Sequence, residues 1–140
     1  MHKIRSWLYV GNFAESENAA LLATHNIKAV LQVAHPINVP GVTSLYLPVS
    51  DDDPLPKSQL RRGVDFILSQ KEQGNVTMVA CHAGMSRSPT FAIAALKEAE
   101  DLQLLDALRA LRQHHPHAMP NTPLWRSLCK YYQEPGLLSR

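Results

Sequence analysis

The sequence predicts one α/β domain with a central, mostly parallel sheet of four to five strands and helices on both faces. Short β-branched runs alternate with longer segments whose apolar residues recur at helical spacing. The chain has 140 residues, which is the usual size of a single domain. No internal repeat, low-complexity tract or linker divides it, so we expect one domain over residues 1–140.

The first half of the chain predicts three strands and a helix. Residues 7–10 are typical of an edge strand that ends at a turn. Ser16 is placed to cap a helix that runs to about residue 25. Residues 27–33 are short and β-branched, which predicts a buried strand, and residues 45–49 predict another. That strand leads into an acidic loop.

The second half predicts one more strand and four helices. From about Pro56, apolar residues have helical spacing until Gly74 ends that helix. A buried strand follows at residues 76–79. Ser88 and Pro89 predict the start of an apolar helix, with serine as N-cap and proline at the first helical position. Two further helices follow. Leu105, Leu108 and Leu111 lie on one face of the first, and Thr122 and Pro123 start the second.

Composition and charge exclude several classes of protein. The formal net charge of +2 is too small to indicate binding to nucleic acid or to an anionic membrane surface. No apolar run approaches the ~20 residues of a membrane span, and we expect no secretory signal. Cys81 and Cys129 are too few for a disulfide framework, so free thiols and a cytoplasmic location are expected. We also expect a monomer.

The chemistry concentrates in the segment from Cys81 to Ser88, which joins a predicted buried strand to the next helix. Sites form at the carboxyl ends of parallel strands, and a helix N-terminus adds free N–H groups and partial positive charge. Gly84 permits a tight turn, so successive N–H groups can form an anion-binding nest. Arg87 closes the nest with a planar fork suited to two phosphate oxygens. At its floor, Cys81 is favoured as a thiolate nucleophile.

This run resembles the signature of the protein tyrosine phosphatase superfamily, since cysteine and arginine flank five residues and serine follows. Residues 81–89 are similar in particular to the dual-specificity phosphatase family, in its small, single-domain, atypical form. Weaker likenesses cover nearly the whole chain in the family's order, at residues 7–11, 26–33, 47–51, 115–116 and 119–121. The resemblance implies the cysteine-phosphatase fold and hydrolysis of phosphomonoesters without a cofactor or metal.

The resemblance also implies roles for the matching loop residues. Cys81 would form a phosphocysteine intermediate, and Arg87 would bind the phosphoryl oxygens. Ser88 would hydrogen-bond the sulfur and ease its departure in the second step. The backbone N–H groups of the loop would stabilise the phosphate or another oxyanion. The phosphate-binding residues so implied are His82, Ala83, Gly84, Met85, Ser86 and Arg87.

An acid outside the loop completes the implied mechanism. Asp51 aligns with the family's general acid, which protonates the leaving oxygen and then activates water. Asp52 and Asp53 are alternatives, because three adjacent acids blur the alignment. Asn121 is implied to brace the phosphate loop. The histidine cluster near the end of the fourth predicted helix does not suggest a metal, since no cysteine or acid completes a zinc set: His114, His115 and His117.

One departure from the family pattern bears on activity. The family usually has histidine immediately before the nucleophile, where this chain has Ala80. Because that histidine helps to orient the loop, we expect slower turnover than in a relative that carries it. A weakly active or inactive phosphate-binding module that traps phosphorylated partners is therefore the main alternative. A sulfur-transfer domain fits less well, because the residues after Arg87 and the upstream Asp51 match the phosphatase.

The loop also bears on the substrate. Its potential cations are His82 and Arg87, and it lacks the lysine found in relatives that act on inositol lipids. The short chain predicts a shallow cleft that admits phosphoserine and phosphothreonine as well as phosphotyrosine in a protein or peptide. Phosphatases of RNA 5′-phosphates, sugar phosphates or inositol phosphates remain the alternatives.

Overall fold

Five strands form one sheet in the computed structural model, which describes residues 1–135. The strands are β1 (His2–Arg5), β2 (Leu8–Gly11), β3 (Ile27–Gln32), β4 (Thr43–Tyr46) and β5 (Val76–Ala80). Their spatial order is β1-β2-β5-β3-β4, with β1 antiparallel to β2 and every other pair parallel. The predicted mostly parallel sheet is confirmed. The segments that follow β2, β3 and β5 therefore leave the sheet at one edge.

Six helices within residues 1–135 cover the sheet. They are α1 (Phe13–Ser16), α2 (Ala19–Thr24), α3 (Lys57–Glu72), α4 (Arg87–Glu100), α5 (Leu104–His114) and α6 (Thr122–Tyr132). One large apolar cluster joins α3, α4, α5 and α6 to one face, with Phe91 and Trp125 almost completely buried. A smaller cluster joins α2 to the other face around Val30 and Met78. Helices thus lie on both faces, as predicted.

The N-terminal strand pair differs from the sequence prediction. Residues 7–10 were expected to form an edge strand, but β2 lies inside the sheet between β1 and β5. The edge is β1, which sequence patterns miss because Ile4 is its one apolar and buried residue. A short strand with one buried side chain gives no alternating pattern to detect.

The predicted N-cap at Ser16 is wrong. Ser16 is the last residue of α1, and its hydroxyl donates to the carbonyl oxygen of Phe13 at 2.7 Å. Asn12 caps α1 in a reciprocal capping box with Glu15, and Asn18 caps α2. The predicted single helix is two short helices because asparagine supplies a second cap after only six residues.

The end of β4 and the start of α4 also differ from the sequence prediction. β4 ends at Tyr46 rather than at residue 49, because Pro48 has no N–H to give to the ladder. The backbone N–H groups of Leu47 and Val49 still donate to β3 and to Val33, each at 3.0 Å. α4 begins one residue before Ser88, with Ser86 at the N-cap, so the predicted capping role of Ser88 is wrong.

Gly63 is required by the packing of α3 against α4. A Cβ atom at this position would lie 2.3 Å from a ring carbon of Phe91, which is fully buried. We expect Gly63→Ala to lower the free energy of unfolding by about 1–3 kcal/mol, the usual range for overpacking. That loss outweighs the ~0.5–1 kcal/mol that alanine gains inside a helix.

Urea denaturation measures this effect, with Ser58→Ala on the exposed surface of α3 as the control. The control should stay within about 0.5 kcal/mol of the parent. A Gly63→Ala protein as stable as the control would contradict the packing argument.

Among residues 1–135, no helix combines the length and the apolar character needed to cross a bilayer.

Candidate active site

A cleft opens where β5 ends and the chain turns into α4. It has a volume of about 230 Å³. Its walls come from the loop after β5, from the start of α4 and from the acidic loop after β4: Asp51, Cys81, His82, Ala83, Met85, Ser86 and Arg87. The structure therefore brings the predicted nucleophile, arginine and acid together, although Asp51 and Cys81 are 30 positions apart in the sequence.

Cys81 lies at the floor of this cleft. Its side chain is only 2% exposed, yet it contributes to the lining. The backbone N–H of Gly84 donates to its sulfur at 3.2 Å, and the hydroxyl of Ser88 lies 3.2 Å from the same atom. The hydroxyl of the fully buried Ser88 thus contacts the sulfur and does not cap α4.

Hydrogen bonds from other parts of the chain hold several carbonyl groups of the loop from Cys81 to Arg87. Four of them accept a hydrogen bond from a group outside the loop. Because carbonyl and N–H point in opposite directions in a trans peptide unit, the next residue's N–H then faces the cleft. The acceptors with their donors are Cys81 with Gln32 Nε2 (3.4 Å), His82 with Phe13 N–H (3.1 Å), Gly84 with His115 Nε2 (2.7 Å) and Met85 with Met119 N–H (2.9 Å).

Gly84 is the one position of this loop with a positive φ, at 76°. A Cβ atom there would lie 2.9 Å from the carbonyl oxygen of Gly11, at the end of β2. Both the left-handed backbone and the close approach to β2 require glycine.

The family resemblance implies that the loop N–H groups bind phosphate, so we expect Gly84→Ala, which would displace them, to lower turnover of an aryl phosphate by about 100-fold. Steady-state kinetics measures the loss. Gly74→Ala is the matched control, because Gly74 has a φ of 79° at the end of α3 with nothing within 4 Å of the added carbon. Equal activity of the two variants would contradict a role for loop geometry.

Arg87 and Asp51 both line the cleft. The guanidinium of Arg87 donates through Nη1 to the carbonyl oxygen of Val49 at 3.2 Å. Asp51 has one carboxylate oxygen, Oδ1, that is buried and has no hydrogen-bond partner among the described residues 1–135. Asp52 and Asp53 are exposed and do not line the cleft. Of the three candidates for the general acid, Asp51 is therefore the one that the geometry of the cleft favours.

Asn121 links the two loops of the site. Its backbone N–H donates to the hydroxyl of Ser86 at 2.8 Å, and its side-chain Nδ2 donates to the carbonyl oxygen of Asp51 at 3.2 Å. The side chain therefore contacts the acidic loop, whereas the contact to the phosphate loop comes from the backbone.

Gln32 is a site residue that the sequence patterns did not single out. It is fully buried at the end of β3, and its Nε2 donates to Ser16 Oγ at 3.2 Å and to the carbonyl oxygen of Cys81. Its Oε1 accepts from the backbone N–H groups of Ala34 and His35. The available signal was a glutamine at the carboxyl end of an otherwise apolar buried strand.

Ala80, where the family pattern has histidine, pairs with Gln32 in the register of β5 and β3. It is fully buried in the apolar cluster beneath α2, beside residues such as Met78 and Tyr9. Ala80 thus lies in a buried apolar layer, and the adjacent Gln32 donates to the carbonyl oxygen of Cys81.

His115 is a second site residue outside the predicted set. It caps the C-terminus of α5, is 3% exposed, and its ring stacks on that of His2 with 3.7 Å between centroids. Burial lowers the pKa of His115 from its usual value, and the positive charges of His2, the N-terminus and His117 lower it further. The hydrogen bond to Gly84 acts in the opposite direction. The lowered pKa favours the neutral ring, which has one proton to donate.

A second pair of histidines lies at the rim. Nε2 of His35 is 3.0 Å from Nδ1 of His82, and the ring of Phe13 packs edge-on against His35. Within the described residues 1–135, no three histidine, cysteine or acidic side chains lie close enough to hold a metal ion.

Comparison with known proteins decides the family. The model of the family described as dual specificity phosphatase, catalytic domain, matches residues 8–134. The chain belongs to this family. The match includes Asp51, the loop from Cys81 to Arg87, and Asn121.

Individual dual-specificity phosphatases resemble the chain over most of its length. Human dual specificity protein phosphatase 22 is 33% identical over 138 residues, which cover 94% of this chain and 73% of that protein. Rat dual specificity protein phosphatase 5 is 29% identical over 136 residues, but the chain spans only 35% of its length. A mouse putative dual specificity phosphatase solved with zinc tungstate superposes with a TM-score of 0.87 at 26% identity, covering 94% of this chain and 86% of that one.

Proposed function

We propose that this dual-specificity phosphatase hydrolyses phosphomonoesters on proteins, through a phosphocysteine intermediate, with residues 1–140 as a single catalytic domain. One observation carries the proposal: the N–H of Gly84 donates to the sulfur of Cys81, and the hydroxyl of Ser88 lies 3.2 Å from the same sulfur, in a cleft that Arg87 and Asp51 also line. A cysteine nucleophile reacts as its thiolate, and these contacts hold the sulfur where a phosphate bound by the loop would lie over it.

The first step transfers the phosphoryl group to sulfur. The Cys81 thiolate attacks phosphorus, so that an S–P bond forms while the ester P–O bond breaks. Backbone N–H groups of the phosphate loop and the guanidinium of Arg87 hold the three remaining oxygens. Asp51 in its protonated form gives its proton to the leaving oxygen.

The second step hydrolyses the phosphocysteine intermediate and regenerates the free enzyme. Asp51, now a carboxylate, removes a proton from water, and the resulting nucleophile attacks phosphorus. The S–P bond breaks, and the Ser88 hydroxyl donates to the departing thiolate. Inorganic phosphate leaves, and Asp51 holds the proton needed for the next cycle.

The cleft supports phosphorylated proteins or peptides as substrates. It is open, and the exposed Met85 at its wall offers an apolar surface to a substrate side chain. Nothing in its lining closes it to the shorter phosphoserine and phosphothreonine. The loop carries no lysine, which disfavours inositol lipids, whose several phosphates need additional cations.

A phosphate-binding module without turnover is the second candidate, and Ala80 is the observation behind it. We favour the enzyme because the acid, Asp51, shares the cleft with Cys81 and Arg87. Binding alone would not require an acid whose carboxylate oxygen is buried without a partner. A single burst of phenolate with no steady turnover would identify the module.

The surroundings of the protein are part of the proposal. Cys81 and Cys129 are both free thiols, which is consistent with a reducing compartment such as the cytoplasm. We propose a monomer that acts on phosphorylated proteins and does not bind nucleic acid, as its small net charge of +2 suggests.

Asp51→Asn is expected to lower turnover of a phosphoserine peptide by about 10²–10⁴-fold, the usual contribution of a general acid. The loss should be smaller for 4-nitrophenyl phosphate, because nitrophenolate leaves without a proton. Steady-state kinetics on both substrates measures the difference.

Asp52→Asn and Asp53→Asn are the matched controls, and we expect both to stay within about threefold of the parent. A larger loss in either control would reassign the acid. Failure of the parent to cleave any phosphopeptide, with cleavage of RNA 5′-phosphates or sugar phosphates instead, would overturn the protein substrate.

A further inference from the structure

His115 reaches the phosphate loop from a distant part of the chain. It lies just after α5, 31 positions beyond Gly84, and its Nε2 is 2.7 Å from the Gly84 carbonyl oxygen. Among the four outward contacts of the loop carbonyls, this is the shortest. The other side-chain donor, Gln32, is farther from its acceptor, at 3.4 Å. His115 is therefore the tightest side-chain anchor of the loop.

The hydrogen bond fixes a peptide unit rather than a single atom. The carbonyl of Gly84 and the N–H of Met85 belong to one trans peptide unit, since residues 1–135 contain no cis peptide bond. Holding the carbonyl outward turns the Met85 N–H toward the cleft. The preceding N–H, that of Gly84 itself, is held by the sulfur of Cys81. The two peptide units around Gly84 are thus fixed from opposite sides.

The ring of His115 is itself held in place. His2 stacks on it with an interplanar angle of 9°, and Nδ1 of His2 lies 3.1 Å from the carbonyl oxygen of His114. The neutral ring has one N–H, and the carbonyl oxygen at Nε2 requires that proton to sit there. The ring therefore acts as a fixed donor.

We propose that His115 is a positioning residue that holds the Gly84–Met85 peptide unit, so that the Met85 N–H faces the phosphate bound over Cys81. This inference rests on the proposed phosphatase function. A histidine that merely fills the core would be replaceable by any residue that restores stability. If His115 is a positioning residue, turnover depends on its N–H donor and not on the rest of the ring.

Two substitutions separate the donor from the ring. His115→Phe keeps an aromatic ring for stacking on His2 but has no N–H. His115→Gln loses the ring but places an amide N–H near the position of the imidazole Nε2. We expect His115→Phe to lower kcat for 4-nitrophenyl phosphate by roughly 10- to 100-fold, as when one oxyanion donor is misaligned. Inhibition by vanadate should weaken in parallel, whereas His115→Gln should stay within about threefold in both measurements.

Urea denaturation of each variant separates stability from catalysis, and kinetics is measured where all variants are folded. If His115→Phe does not fold, His115→Asn replaces it, because its shorter amide does not reach the Gly84 carbonyl. Parent-like kcat and vanadate affinity in His115→Phe, or an equal loss in His115→Gln, would overturn the inference. A parent enzyme that binds vanadate but shows no turnover would instead overturn the proposed function, and vanadate affinity would still test His115.

Discussion

Cys81→Ser is expected to abolish turnover of 4-nitrophenyl phosphate, with a loss on the order of 10⁴-fold or more. A serine hydroxyl keeps its proton near neutral pH and is a weak nucleophile without an adjacent base. Within residues 1–135, the groups hydrogen-bonded to the sulfur are the N–H of Gly84 and the hydroxyl of Ser88, and neither is such a base. Steady-state kinetics measures the loss, and vanadate binding should persist because the loop N–H groups and Arg87 are unchanged.

Cys129→Ser is the matched control. Cys129 lies in α6, is almost fully buried, and burial together with Glu134 raises the pKa of its thiol. We expect this variant to keep the activity of the parent. Residual turnover in Cys81→Ser, or its loss in Cys129→Ser, would contradict the assignment of the nucleophile.

Arg87→Lys is expected to lower kcat/KM for the same substrate by about 10³-fold. In the proposed mechanism the planar guanidinium binds two phosphoryl oxygens at once, and its Nη1 also donates to the carbonyl oxygen of Val49. Lysine keeps the charge but has neither the fork nor the second contact. The measurement is kcat/KM at several ionic strengths, because a pure charge effect would depend strongly on salt.

Arg61→Lys provides the comparison on a second arginine. Arg61 lies in α3, contacts both carboxylate oxygens of Glu98 at 2.8 and 2.9 Å, and does not line the cleft. We expect this variant to lose stability and to keep the activity of the parent. An Arg87→Lys protein within tenfold of the parent would contradict the proposed phosphate contact.

The sequence was sufficient for the parts of the site that are local. The strand, the loop and the start of α4 are contiguous, so residues 76–96 predict the nucleophile, the nest and the arginine together. The parallel sheet followed from the alternation of strands and helices. Asp51 needed the family resemblance, and the choice among three acids needed coordinates, because only the fold decides which carboxylate faces the cleft.

Two kinds of feature were not predicted from the sequence. The first depends on contacts between residues far apart in the chain, and the second on which of several polar residues caps a helix. Gln32 and His115 act on the loop from 49 and 31 positions away, and no sequence spacing encodes such contacts. Ser16 and Ser88 were predicted as N-caps because serine favours that position. In the structure their hydroxyls have other partners, Phe13 and Cys81.

Ala80 shows how packing bears on a departure from the family pattern. Its side chain is fully buried among apolar residues such as Met78. Because protein interiors are close-packed, we expect an imidazole at this buried position to displace its neighbours, and overpacking usually costs about 1–3 kcal/mol. The expected slow turnover stays a prediction, and Ala80→His would alter stability together with chemistry.

The identity of the phosphorylated residue tests the central claim most directly. In Asp51→Asn, 4-nitrophenolate still leaves while hydrolysis of the intermediate is slowed, so a covalent phosphoenzyme should accumulate. Acid quenching within the first turnover, followed by proteolysis and mass spectrometry, locates the phosphoryl group. Our account predicts it on the sulfur of Cys81, at close to one group per protein. A phosphoryl group on Cys129, on a histidine or on no residue while turnover proceeds would contradict it.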